Sequence, residues 1–364
     1  MKQSLQKTPF YDPTKSYEEN FKQGPFGSLA DALQGEASSL KRSGQPKQTF
    51  LGQPVFLPFG IPAGPLINSR FVKAAFAKGF DLCVYKTVRS HQHPCHAWPN
   101  VLPVKAGSRL EPNRQQPVET EADYHQPLSI TNSFGVPSPE PDWWQEDMAL
   151  AVEAAGPGQL LIGSFQGSGD GAGRDQSVID DYALTAKLVA QTGAKAMVAN
   201  LSCPNEGKAD LLCFDLPLVK EIAFAIKEKI GNIPLLLKLA YFQSEDQLES
   251  LVKQVGPLIQ GLIAINTIPA KVVNQAGEQA LPGEGRARSG ICGASIKWAG
   301  LEMTERLNQL RAKHGLNLAV VGVGGVVKPA DYFSYCQKGA DAVMSATGAM
   351  WSPELAEEIW AEEK

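Results

Sequence analysis

Eight short apolar runs constrain this chain more than any other feature: VFLPFGIPA, DLCVYKTV, QLLIGSF, AMVANLS, PLLLKLA, GLIAINTI, LAVVGVGG and ADAVMSA, all beginning after Pro54. Runs of roughly four to eight residues, rich in Val, Ile and Leu and lacking polar alternation, are the pattern of strands buried on both faces. Between most of them lie 10 to 20 residues with helical spacing, such as 181–193 and 217–231, each closed by a glycine suited to a helix end. Strands alternating with helices predict parallel βα units. Eight units exceed the usual count of about five to seven strands in a doubly wound sheet, so the fold class expected is α/β, a (β/α)8 TIM barrel.

The rhythm is absent from residues 1–49, which mix Lys, Gln, Ser and Gly around one weakly amphipathic stretch near Phe26 to Leu40. They are expected to form an N-terminal arm or short helices, without catalytic chemistry, laid on a barrel of residues 50–364. One interval, about 40 residues between Val88 and Leu128, is too long for an ordinary βα loop and is read as an insertion after strand two. It carries His91, His93, Cys95 and His96. Their spacing is too tight for a zinc finger, and no metal site is expected. The stretch Gly167 to Gly173 lacks the G-x-G-x-x-G spacing and is read as a flexible loop.

Charge and cysteine usage exclude several function classes. Thirty-four basic against 38 acidic residues give a net charge of −4, so no overall positive field draws nucleic acid or anionic lipid. No run of 18 apolar residues appears, and the opening MKQSLQKTPFYDP lacks the apolar core of a signal peptide, so a cytoplasmic protein without a transmembrane segment is expected. The six cysteines form no C-x-x-C pair, which speaks against a disulfide framework or an iron–sulfur cluster; a cysteine with a task works as a thiol.

In this barrel the chemistry sits where strands end. The runs end in Ala63-Gly64, Lys86-Thr87, Asn200 to Asn205, Lys238, Asn266-Thr267, Gly324-Gly325 and Ala346-Thr347-Gly348. Lysines at buried strand ends are costly unless they face an electron-rich group, and the asparagines beside them suit a planar, amide-rich ligand. Glycines after strand seven, with the end of strand eight, occupy the usual place of a backbone phosphate site. Cys203 lies between Asn200 and Asn205 with Pro204 after it, a setting that favours a chemical role over inert packing.

The string NLSCPN (200–205), with LSITNSFGVP (128–137), VYKTV (84–88), LLKLA (236–240), INTI (265–268), Gly290 to Lys297 and VGVGG (321–325), resembles the dihydroorotate dehydrogenase family. The likeness is to its soluble class, in which cysteine replaces the serine of the membrane-associated class. It covers roughly residues 50 to 350 and leaves out the arm. The resemblance implies FMN-dependent oxidation of dihydroorotate to orotate in pyrimidine biosynthesis, with FMN held by Ala63, Gly64, Lys86, Thr87, Asn200, Lys238, Gly293, Gly324, Gly325, Ala346 and Thr347. It implies a pyrimidine held by Lys86, Asn132, Phe134, Gly135, Val136, Asn200, Asn205, Asn266 and Thr267. Cys203 would be the catalytic base, flavin N5 the hydride acceptor, and Lys238 the group that stabilises charge on the reduced flavin. A homodimer is implied too, and an electron acceptor left open among fumarate, a quinone and a separate electron-transfer subunit. Ser138 stands where the family more often has asparagine, and S-A-T-G closes strand eight where I-G-T is usual.

Two other readings remain. One is a dihydropyrimidine dehydrogenase-like barrel acting on another reduced pyrimidine; that family tends to carry histidine where Asn205 stands and to bring iron–sulfur domains. The other is a non-catalytic barrel that binds a phosphorylated ligand, which has no need of a thiol.

Overall fold

In the computed structural model, residues 8–34, 42, 44–169, 175–202 and 211–363 are described. Eight parallel strands close a barrel: β1 (Phe59–Ile61), β2 (Leu82–Val84), β3 (Leu160–Phe165), β4 (Met197–Asn200), β5 (Leu235–Leu239), β6 (Gly261–Ala264), β7 (Ala319–Val323) and β8 (Ala342–Met344). Each falls within one of the eight apolar runs. β8 pairs with β1 through Val343 opposite Phe59, so the sheet has no free edge. Every residue of β1 to β6 and β8 is buried, which is why the runs lack alternation.

The helices are α1 (Tyr17–Gln23), α2 (Gly27–Asp31), α3 (Ser69–Ala77), α4 (Pro141–Glu153), α5 (Asp175–Ala190), α6 (Leu216–Ile230), α7 (Glu245–Val255), α8 (Lys297–Lys313), α9 (Pro329–Gln337), α10 (Thr347–Trp351) and α11 (Leu355–Glu363). α6 shows how sequence sets the bounds. The Asp215 side chain accepts from the Leu218 amide at 3.2 Å, a cap worth about 1 kcal/mol, and Pro217 in the first turn forfeits no helical hydrogen bond. Gly231 at φ 58° ends the helix in a conformation that a side chain disfavours. α5 starts six residues before the expected 181–193 segment, its N-terminal turns being more polar than the pattern that revealed it.

Two features depart from the expected rhythm. The first half of the VFLPFGIPA run does not enter the barrel; Gln53–Val55 pairs with Gln48–Phe50 in an antiparallel hairpin. There are also two long βα intervals rather than one. The insertion after β2 and the interval after β6 together build a five-stranded sheet, ordered Val101–Pro103, Ser129–Asn132, Arg288–Gly293, Ile268–Val273 and Val118–Glu119. It meets the mouth of the barrel through Asn132 and Cys292, with Thr267 immediately before the strand Ile268–Val273. The arm packs into the main core through Phe10, Tyr11, Tyr17 and Leu29, and the Phe10 amide donates to the Met350 carbonyl at 3.0 Å. No described helix is long and apolar enough to cross a membrane.

Candidate active site

A cavity opens at the C-terminal ends of the barrel strands, the place where this fold carries its chemistry. Its wall includes Ala63, Gly64, Lys86, Thr87, Asn132, Phe134, Val136, Asn200, Lys238, Asn266, Thr267, Ala346 and Thr347, all singled out from sequence. Cys203 and Asn205 lie outside the described residues, as does most of the glycine-rich loop. Gly135, Gly293, Gly324 and Gly325, also expected to touch ligand, are not among the residues that line this cavity.

Lys86 and Lys238 are each only 7% exposed. Lys238 points inward from β5, and its Nζ donates to the Ala63 carbonyl at 3.4 Å. Asn200, at the end of β4, is held three times: its Nδ2 donates to Gln166 Oε1 at 2.7 Å, its carbonyl accepts from the Tyr182 hydroxyl at 2.7 Å, and its Oδ1 accepts from Asn266 Nδ2 at 3.5 Å. Asn266 Nδ2 donates to the Ser202 carbonyl at 2.8 Å and to the Ser202 hydroxyl at 3.1 Å, so the exit of β6 braces the exit of β4. The Thr87 and Ser164 hydroxyls share a hydrogen bond of 3.0 Å. Thr267 Oγ1 is buried with no partner, a cost that a ligand or a small shift could relieve.

The loop from Ser133 to Ser138 is shaped from behind by two buried arginines, each 3% exposed. Arg89 donates from Nε to the Val136 carbonyl at 3.0 Å and from Nη2 to the Gly135 carbonyl at 3.2 Å. Arg286 grips Ser133 and the insertion. These contacts hold Val136 at φ 53°, which a β-branched residue rarely adopts, next to Gly135 at φ 75°. Ser138 is tied into the same scaffold: its hydroxyl accepts from the Arg89 amide at 3.1 Å and donates to the Pro139 carbonyl at 3.0 Å. Serine there serves the loop's own backbone.

Three backbone segments converge where a phosphate site was expected. A Cβ on Gly325 would lie 2.8 Å from the Gly293 carbonyl, and one on Gly348 would lie 2.1 Å from the Val326 carbonyl. Gly325, at φ 66°, thus runs against Gly293 with no room for a side chain, Val326 runs against Gly348 in the first turn of α10, and Gly324 at φ 131° holds a backbone conformation that side chains disfavour. Thr347 opens α10, where amides lack helical acceptors. A phosphate suits such a cradle, and two buried lysines beside an amide-lined cavity suit the anionic ring of a reduced flavin. On these grounds the residues fit FMN.

Several wall residues escaped the sequence reading: Tyr11, Pro62, Pro65, Val101, Ile130, Cys292, Val323 and Met350. Tyr11 belongs to the arm, from which no catalytic chemistry is expected. Its ring meets Phe134 edge-on at 5.6 Å, so the arm closes one side of the cavity. The insertion histidines do not line the cavity: His91 and His93 rings lie 6.4 Å apart, and His96 Nδ1 shares a hydrogen bond with the Ser133 hydroxyl. Among the described residues, no three His, Cys, Asp or Glu side chains gather as a metal site requires.

The family profile described as Dihydroorotate dehydrogenase matches residues 119–362. A dihydroorotate dehydrogenase of Dictyostelium discoideum is 35% identical over 96% of this chain and 95% of its own length. The catalytic subunit of a dihydroorotate dehydrogenase B (NAD(+)) from Endomicrobium trichonymphae is 27% identical over 74% of each chain. Among solved structures, the dihydroorotate dehydrogenase of Eimeria tenella in complex with ferulenol superposes with a TM-score of 0.69, covering 92% of this chain and 88% of the other at 16% identity, which speaks to the fold.

Proposed function

Because this chain belongs to the dihydroorotate dehydrogenase family, we propose that it oxidises dihydroorotate to orotate at the mouth of its barrel, with FMN as cofactor and Cys203 as base. The observation that carries this reading is the gathering of Lys86, Lys238, Asn132, Asn200 and Asn266 in one cavity. Such a set has the donors and acceptors to grip a ring of alternating carbonyl and N–H groups, with a cation for its carboxylate.

The reaction turns the C5–C6 single bond into a double bond, so C5 gives up a proton and C6 gives up a hydride. Bound FMN would supply the two-electron acceptor for that hydride. The chain's own residues divide the remaining tasks. A Cys203 thiolate takes the C5 proton. Asn132, Asn200, Asn205, Asn266 and Thr267 orient the pyrimidine, and Lys86 faces its carboxylate. Lys238 offers a buried positive charge where negative charge accumulates on the cofactor ring, and its low exposure lessens screening by solvent. Phe134, Val136 and Tyr11 exclude water. The residues that would hold the cofactor are Ala63, Gly64, Thr87, Gly293, Gly324, Gly325, Ala346 and Thr347, with the two lysines and Asn200. The second substrate is an acceptor drawn from fumarate, a quinone or a separate electron-transfer subunit. The working compartment proposed is the cytosol, consistent with free thiols at Cys83, Cys95, Cys213, Cys292 and Cys336.

Anaerobic mixing of the purified protein with dihydroorotate tests this reading without knowledge of the acceptor. The expected result is a yellow protein whose visible flavin band bleaches. A colourless protein that takes up no FMN would favour the non-catalytic barrel, and bleaching by dihydrouracil alone would favour the dihydropyrimidine dehydrogenase-like reading.

A further inference from the structure

We propose that Cys292 is a positioning residue that ties the substrate side of the cavity to its phosphate side, a role that rests on the function proposed above. Cys292 lies on the strand Arg288–Gly293 directly opposite Ile130, while Gly290 lies opposite Asn132. Alternation along paired strands therefore puts Ile130, Asn132 and Cys292 on one face, and all three line the cavity.

The thiol is fully used. Its Sγ accepts from Asn132 Nδ2 at 3.4 Å and from the Thr347 hydroxyl at 3.4 Å, and it donates to the Ile130 carbonyl at 3.7 Å. Those lengths are ordinary for sulfur, and together they satisfy one donor and two acceptor directions. Asn132 belongs to the five-stranded sheet and Thr347 to α10 on the barrel, so this one atom joins the two layers that meet at the ligand. It fixes the plane of the Asn132 carboxamide and the rotor of the Thr347 hydroxyl. Burial pushes the thiol's pKa up, against hydrogen bonds from Thr347 and Asn132 and the charge of Lys238 that pull it down. The group therefore remains a neutral S–H able both to accept and to donate.

The test compares the FMN-loaded parent with Cys292→Ala, Cys292→Ser, Asn132→Ala and the double variant Cys292→Ala/Asn132→Ala. Calorimetry gives the orotate Kd, and stopped-flow bleaching with dihydroorotate gives the limiting rate. Cys292→Ala is expected to raise the orotate Kd about tenfold, the scale of one buried hydrogen bond, and to lower the limiting rate by a smaller factor. Cys292→Ser, with the same donor and acceptor directions at shorter reach, should recover most of the loss. In the Asn132→Ala background the cysteine change should add little, because its partner is already gone. A thiol that is only packing would change stability without moving the orotate Kd, or would act additively with Asn132→Ala; either result overturns the proposal. A parent that fails to bleach overturns the activity reading and this role with it. A parent that bleaches while Cys292→Ala keeps its orotate affinity overturns this role alone.

Discussion

Arg286 and Ser133 are joined twice: the guanidinium donates from Nη2 to the Ser133 carbonyl at 3.0 Å and from Nε to the Ser133 hydroxyl at 3.2 Å. The same side chain reaches the Ala97 carbonyl at 2.8 Å and the Pro99 carbonyl at 3.1 Å, and it also meets the Pro282 carbonyl. Burial lowers the pKa of Arg286, yet guanidinium stays charged at any working pH, so the fork is permanent. It holds the backbone immediately between Asn132 and Phe134 in the shape that a ligand meets.

Arg286→Lys keeps the charge but loses the fork, since one ammonium cannot span carbonyls on three segments. The expected outcome is a KM for dihydroorotate raised about tenfold with kcat falling less, because the loop faces substrate rather than the reacting bond. Steady-state kinetics with an artificial acceptor checks this. Equal losses in KM and kcat would place Arg286 in the chemistry instead, and no change in either would make the clamp dispensable.

Lys238 is 7% exposed and aimed inward from β5. Lys238→Ala should give a folded protein that retains FMN poorly in gel filtration and bleaches slowly even at saturating FMN, because a preorganised positive charge is lost from the cofactor's side. Bleaching at the parental rate would remove this lysine from the mechanism.

Asn266 is bonded to Ser202, the residue before Cys203. Asn266→Ala should therefore do two things: weaken orotate binding by about 1–3 kcal/mol, as for a lost buried hydrogen bond, and slow the proton transfer by loosening the segment that carries the thiol. Asn132→Ala, anchored on the opposite side of the cavity through Cys292, should mainly weaken binding. Calorimetry for orotate alongside stopped-flow rates separates the two patterns. Identical rate effects in both variants would show that the Asn266–Ser202 brace is unimportant.

The barrel was legible because strands buried on both faces need unbroken apolar runs, and each run marked its own strand end. That rule also pointed to Lys86, Asn200, Lys238 and Asn266. Applied to the third run, it would have found Gln166, which follows β3 and holds Asn200. The five-stranded sheet was not legible. Its strands are two to six residues long, hold Gly and Pro, and pair residues as distant as Ile130 and Cys292. Tyr11 and Met350 escaped notice for the same reason: nothing local says that Phe10 will bond to Met350 and set the arm against the cavity.

The decisive prediction concerns Cys203. An unperturbed thiol has a pKa of about 8.5, so a small fraction is thiolate at neutral pH and the rate of proton abstraction should climb with pH as that fraction grows. Other thiols do not confuse the reading. Burial pushes Cys95 and Cys213 up to about 12 and raises Cys292, which faces the cavity, so each holds its proton through the range in which an ordinary thiol ionises. An ionisation near the ordinary thiol range in the bleaching rate therefore reports Cys203. Cys203→Ala should keep FMN and bind orotate, since the thiol holds neither, while bleaching by dihydroorotate slows by at least the roughly 10²–10⁴-fold credited to a positioned base. Cys203→Ser should be nearly as slow at neutral pH, and its rate should lack the thiol ionisation. Stopped-flow traces of the three proteins across about pH 6 to 10 test both statements at once. Parental bleaching in Cys203→Ala, or a pH profile unchanged by either substitution, would transfer the base to another group and remove the main chemical argument for this thiol.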